Sequence, residues 1–152
     1  MSLNTAATVT ALESHLLASG LFRMVNTHEP KTAPKEDLTA AIWAERIIPH
    51  PQGSGLTATT AVVVYMVRIY SNMLAEPQGA IDPRVMTAAD TILEDLHGDF
   101  ELGGAVRNVD LFGQSGIALE GQFAYVEIDG TLFRVMDLTV PVIISDAWTQ
   151  SP

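Results

Sequence analysis

Residues 57–70 read as a single β-strand of fourteen residues. At about 3.3 Å per residue such a strand spans about 46 Å. A compact domain of 152 residues has a radius of gyration of about 15 Å, hence a diameter of about 40 Å. The strand is as long as the molecule is wide. It must bend, or it must form one limb of a projecting hairpin arm over residues 38–70, with the alternating segment 38–48 as the other limb. Val62, Val63, Val64, Tyr65, Met66 and Val67 are apolar on both faces and belong at the centre of a sheet. Thr57, Thr59 and Thr60 precede them, so the threonine end is expected to be distal and exposed. Pro49-His50-Pro51-Gln52-Gly53-Ser54-Gly55 joins the limbs as a turn or loop.

The other elements arrange themselves around this strand. Asn4 is placed as an N-cap, Val9, Leu12 and Leu16 share one helical face, and Gly20 ends the helix. Residues 21–27 read as a strand, and residues 28–37, with two prolines and five charges, read as a loop. A second helix is announced by Asp82 as N-cap, Pro83 at the first helical position and an Ile81–Met86 staple. Val85, Ala89, Ile92, Leu93 and Leu96 form its buried stripe, and Gly98 ends it. Strands follow at 106–112, 119–128 and 131–140. A Gly113-Gln114-Ser115-Gly116 turn separates the first two, and an Asp129-Gly130 hairpin separates the last two. Pro141 marks an edge or an exit, and residues 145–152 a polar tail. The order α-β-β-β-α-β-β-β predicts an α+β fold, one domain over residues 1–152 with a mostly antiparallel sheet and two helices.

Function classes are narrowed by what the chain lacks. With no cysteine, thiolate metal sites, disulfides and cysteine nucleophiles are excluded. The start Met1-Ser2-Leu3-Asn4 has no signal-peptide character, and the apolar run 61–67 is far shorter than the roughly 20 residues of a membrane helix. A soluble protein that is not exported is expected. Net charge is -10 with only eight basic residues, scattered along the chain, which disfavours gripping a phosphate backbone. A surface that DNA must slide past without sticking has this same acidic character.

No spacing nominates an active site. His15, His28, His50 and His97 lie far apart and lack metal-ligand spacing, and they read as structural or solvent-facing. The glycine-flanked serines match neither a nucleophile elbow nor a phosphate loop. The expectation is a non-enzyme with no cofactor and no metal. Asp90, Glu94, Asp95, Asp99 and Glu101 crowd the negative end of the second helix dipole. They form either a solvated helix end or an acidic surface facing a channel. Tyr65, Tyr70 and Trp43 read as core or interface anchors rather than a stacking platform. Trp148, alone in the polar tail, either folds back or docks on a neighbour. The candidate subunit or partner interface is Trp43, Pro49, Pro51, Thr57, Thr59 and Trp148. Low charge content, 17% against the usual roughly 25%, fits surface kept for partners.

Several strings resemble tail terminators of long-tailed (siphovirus-type) bacteriophages of actinobacteria. They are Val25-Asn26-Thr27-His28-Glu29-Pro30-Lys31, Val67-Arg68-Ile69-Tyr70-Ser71-Asn72-Met73, Glu76-Pro77-Gln78, Ile81-Asp82-Pro83, Gly98-Asp99-Phe100-Glu101-Leu102-Gly103-Gly104, Val106-Arg107-Asn108-Val109-Asp110 and Gly130-Thr131-Leu132-Phe133-Arg134-Val135-Met136. The resemblance runs from about residue 12 to residue 148 and carries no catalytic motif. It implies a mixed α+β subunit that forms a homohexameric ring in the virion neck. Such a ring caps the tail tube, ends its polymerisation and joins the tail to the head. Its implied partners are copies of itself, the tail-tube protein and a head-completion protein, with DNA passing through unbound and no membrane. Assembly in the host cytoplasm follows. The rivals are a head-completion or stopper protein at the same joint and, from another class, a small enzyme or ligand-binding domain.

Overall fold

The computed structural model describes residues 2–35, 38–75 and 77–152. Met1, the Glu36 and Asp37 end of the charged loop, and Glu76 of the Glu76-Pro77-Gln78 string lie outside the described residues. The elements follow the expected order: α1 (Thr5–Ala18), β1 (Met24–Asn26), β2 (Thr39–Pro49), β3 (Ala58–Asn72), α2 (Ile81–Gly98), β4 (Asn108–Val109), β5 (Glu120–Ile128) and β6 (Thr131–Thr149). The fold is α+β, with one sheet ordered β1-β2-β3-β6 and both β4 and β5 on the far side of β6. Among the described residues only the β1–β2 pair is parallel.

Strand alternation sorts the apolar residues to two faces. Val63, Tyr65, Val67 and Ile69 of β3 point to one face with Leu138, Val140 and Val142 of β6. Leu12 and Leu16 of α1 and Val85, Ala89, Ile92 and Leu96 of α2 pack on this face and close the main core. Fully burying each leucine, isoleucine or valine among them contributes about 2 kcal/mol. The helical stripes therefore dock where the sequence periodicity puts them, with Leu93 partly buried at the margin. On the opposite face, Ala33 of the β1–β2 loop packs at one end of the sheet on Ala41, Tyr70, Phe133 and Val135. At the other end Ile117 packs on Val62, Val64 and Ile143. Tyr65 and Tyr70 are fully buried core residues.

Several expectations are corrected. The hairpin 38–70 does not stand out alone, because β6 pairs with β3 from Ala58↔Thr149 to Asn72↔Phe133. The long strand is thus paired on both sides rather than projecting as a two-stranded arm. Pro141 is neither edge nor exit: it lies inside the nineteen-residue β6. Its carbonyl accepts from the Asp110 N–H of the segment running out of β4. The ring nitrogen faces that same side, where β5 has ended at Thr139 and β4 begins opposite Val142. No hydrogen bond to β3 is lost, which is how a proline is accommodated inside the strand. Residues 145–149 belong to β6 and are not a tail. The 21–27 and 106–112 segments yield only the short β1 and β4.

The helix starts also differ. Asn4 occupies the N-cap of α1 with φ 47° but makes no side-chain cap. In α2 the N-cap is Ala80, so Pro83 falls later in the first turn, where a missing N–H is still without consequence. Asp82 instead receives the Arg134 Nε–H at 3.0 Å, and Met86, the supposed staple partner, is half exposed. Asp129 and Gly130 both take positive φ, 52° and 78°, as a two-residue hairpin of this kind requires.

Candidate functional site

Five of the six candidate interface residues, Pro49, Pro51, Thr57, Thr59 and Trp148, converge at one end of the sheet. There β2 ends, a 3-10 turn at Pro51–Gly53 reverses the chain, β3 begins, and the last residues of β6 lie alongside. The tip is three-stranded, with Thr59 paired to Trp148 and Pro49 to Ala61. A register shift beside Thr60 and a positive φ of 52° at Asp146 let β6 turn with the tip.

The tip is held by its own polar groups. The Thr60 hydroxyl donates to Gly53 O at 2.7 Å, and Ser54 Oγ donates to His50 O at 2.8 Å. Ser54 Oγ in turn accepts from Thr60 N at 3.0 Å, and His50 N donates to Thr60 O at 2.8 Å. Gln150 ties the end of β6 down through its backbone N–H to Thr57 O and its side-chain amide to Thr59 Oγ1. A Cβ at Gly53 would lie 2.9 Å from His50 Cδ2, so only glycine lets the turn close on the imidazole. Thr60 is buried, contrary to the expectation of an exposed threonine end, and His50, also buried, takes the structural one of the two roles expected of it. Thr57 is exposed and Thr59 half-buried.

On this fastened platform the apolar groups face outward. Leu56 is 95% exposed, Ile47 50% and Trp148 41%. Ile47, Trp148 and residues 2–6 line an open groove of about 610 Å³ beside the start of α1. Trp148 neither floats in a tail nor buries itself. Leu56 and Ile47 escaped sequence reasoning, although a lone leucine between Gly55 and Thr57 was a usable signal. Exposed large apolar side chains gathered at one end of a molecule mark contact surface.

Trp43 is not part of the tip. It pairs with Met66 in mid-sheet, packs beside Tyr70 and Phe133, and lies under the Arg68 guanidinium at 5.3 Å. Arg68 also forms a two-pronged ion pair with Asp137, at 2.5 and 3.0 Å. The hydrogen-bonded carboxylate holds the guanidinium well above its ordinary range, against the opposing effect of burial.

The five acids divide. Asp90, Glu94 and Glu101 are exposed, and Asp95 and Asp99 are half-buried. Asp99 accepts from Gly103 N and pairs with His15 Nε2, both at 3.0 Å. The Gly103 N–H and the imidazole hold its carboxyl below the usual value. His97 bonds Leu93 O through Nδ1 and stacks edgewise on Phe112, and so turns away from the flanking carboxylates. Among the described residues no group of three or more His, Cys, Asp or Glu side chains is disposed to hold a metal ion. Burial acts to raise the Asp110 carboxyl, but the Ser115 hydroxyl and the N–H groups of Ser115, Gln114 and Gly113 outweigh it and hold it low. That carboxylate organises the 113–116 turn. No helix is long and apolar enough to cross a membrane among the described residues. No protein-family model matches the chain, and no curated protein matches it.

Proposed function

We propose that this chain is a structural subunit of a phage tail, assembling with copies of itself into a ring that caps the tail tube and joins it to the head. The observation that carries the reading is the fastened three-stranded tip with Leu56, Ile47 and Trp148 turned to solvent. A tip that is rigid yet apolar loses little conformational entropy on docking. The resemblance of residues 12–148 to tail terminators supplies the kind of partner. The tip contacts the tube or a neighbouring subunit, and catalysis has no part in the activity. The exposed acids Asp90, Glu94 and Glu101 face the DNA path, where repulsion of phosphate keeps the genome from adhering.

The test is electron microscopy and light scattering of the pure protein, alone and with tail-tube protein. Closed rings and tubes of defined length are expected. A monomer at high concentration, with tubes growing unchecked in its presence, overturns the reading.

A further inference from the structure

Two apolar features stand on opposite flanks of the sheet. The first is Phe112, 82% exposed, on the segment running out of β4. That segment is fastened from within. The buried Asp110 carboxylate accepts from the N–H groups of Gly113, Gln114 and Ser115 at 3.0, 2.9 and 2.7 Å. Leu111 packs inward on the main core, and His97 of α2 meets the Phe112 ring edgewise, with centroids 6.3 Å apart. Phe100, half exposed, lines the same small hollow as Phe112. A large aromatic side chain held out on a fastened turn offers much apolar area and loses little entropy on docking.

The second is the open groove between the start of α1 and the tip, where Leu3, Ala6, Ile47 and Trp148 supply apolar walls. The strand register sets the two features at one height. Ile47 pairs with Val63, Val63 with Val142, and Val142 with Val109. One row therefore crosses the sheet from the groove to β4 in three steps, about 14 Å. Side chains along such a row share a face. Val63, Val142 and Val109 belong to the main core beneath the helices, so Ile47 also stands on the helix-bearing side. Phe112, three residues beyond Val109 and against α2, lies in that same layer. β1 pairs only with Thr39, Ala40 and Ala41, so beside Ile47 the sheet ends at β2 among the described residues.

We propose that Phe112 of one copy docks in the Ile47–Trp148 groove of the next. The occupant is a second copy because one chain carries both the projecting ring and the apolar groove. They stand at the same height, in the same layer and on opposite flanks, which is the arrangement that subunits set side by side require. Joining unlike flanks is a heterologous contact, which repeats from copy to copy and closes into a ring, whereas Phe112 against Phe112 stops at a dimer. Such a contact rests on the self-assembly in the proposed function but not on the identity of the tube.

Since the chain contains no cysteine, engineered thiols report contacts without background. Ala6 lines the groove and Gln114 lies beside Phe112, and both are exposed. Ala6→Cys and Gln114→Cys chains are made separately, shown by circular dichroism to fold, mixed at concentrations where the wild type is oligomeric, and treated with a short bis-maleimide. Cross-linked dimers are expected from the mixture and not from either chain alone. The double variant should give a ladder ending at the ring size. Phe112→Ser should leave the fold intact and raise the concentration of half-assembly by about tenfold or more, while Phe112→Leu should keep part of the assembly. Cross-linking of Gln114→Cys chains with themselves overturns the inference in favour of a two-fold contact. Oligomers of wild-type size without cross-links, or formed equally well by the Phe112→Ser chain, also overturn it while leaving the ring reading standing. A monomer at every concentration, with or without tail-tube protein, overturns both.

Discussion

Arg68 and Asp137 face one another across β3 and β6, each side chain about 19% exposed. Removing one partner strands the other charge between Trp43 and the sheet. Asp137→Ala should therefore cost about 3 kcal/mol, measured by urea unfolding. A paired Arg68→Met and Asp137→Leu exchange should recover most of the loss, because the desolvation of both charges disappears with them. Acid sensitivity belongs to Asp99 and Asp110. Both carboxyls are held below their ordinary value in the folded chain. Their contribution is complete above the unfolded carboxyl pKa of about 3.9 and is lost as pH falls through the lower folded values. Asp110→Asn should cost about 2 kcal/mol at neutral pH and flatten the acid limb of a stability–pH curve. An unchanged limb would assign acid unfolding to other carboxylates.

At the level of elements, the order of helices and strands was legible because each signal was local. The Asp129-Gly130 turn, the apolar stripe of α2 and the valine run of β3 each act within a few residues. What escaped was set by partners distant in the chain. Pro141 reads as a terminator until the handover from β5 to β4 beside it is known. Trp148 reads as lying in a tail until Thr59 pairs with it. Asp82 is a sound N-cap by type, but Arg134, brought in by β6, takes its carboxylate. At the candidate site, prolines, threonines and Trp148 marked the place of the tip, yet the other large apolar groups exposed there, Leu56 and Ile47, went unmarked. Two substitutions separate the frame of the tip from its outward surface. Gly53→Ala, crowding His50, should destabilise the fold by about 1–3 kcal/mol, seen as a lowered melting temperature. Leu56→Ser should change stability by less than about 0.5 kcal/mol and still weaken assembly in light scattering. Normal assembly by the Leu56→Ser chain would remove the tip from the contact surface.

For the whole molecule, charge is the accessible variable. Contacts between exposed acids and bases should weaken as salt rises, since screening shortens to about 3 Å at 1 M, so oligomers held by such contacts should loosen in high salt and oligomers held by the apolar tip should not. Replacing Asp90 and Glu94 with lysine should leave rings intact and slow DNA delivery from assembled particles, most at low salt; unchanged delivery would place these acids away from the DNA path. The long β6 has a consequence for the order in which the molecule is made. It supplies the pairing partner of β3, β4 and β5, and its contacts reach far back along the chain, as between Arg68 and Asp137, 69 positions apart. A topology rich in such distant contacts folds slowly, on the scale of milliseconds to seconds. During synthesis the valine run of β3 therefore waits with one flank bare until residues 131–149 have left the ribosome. The nascent subunit is then most open to wrong strand pairing, and the emergence of β6 completes its sheet.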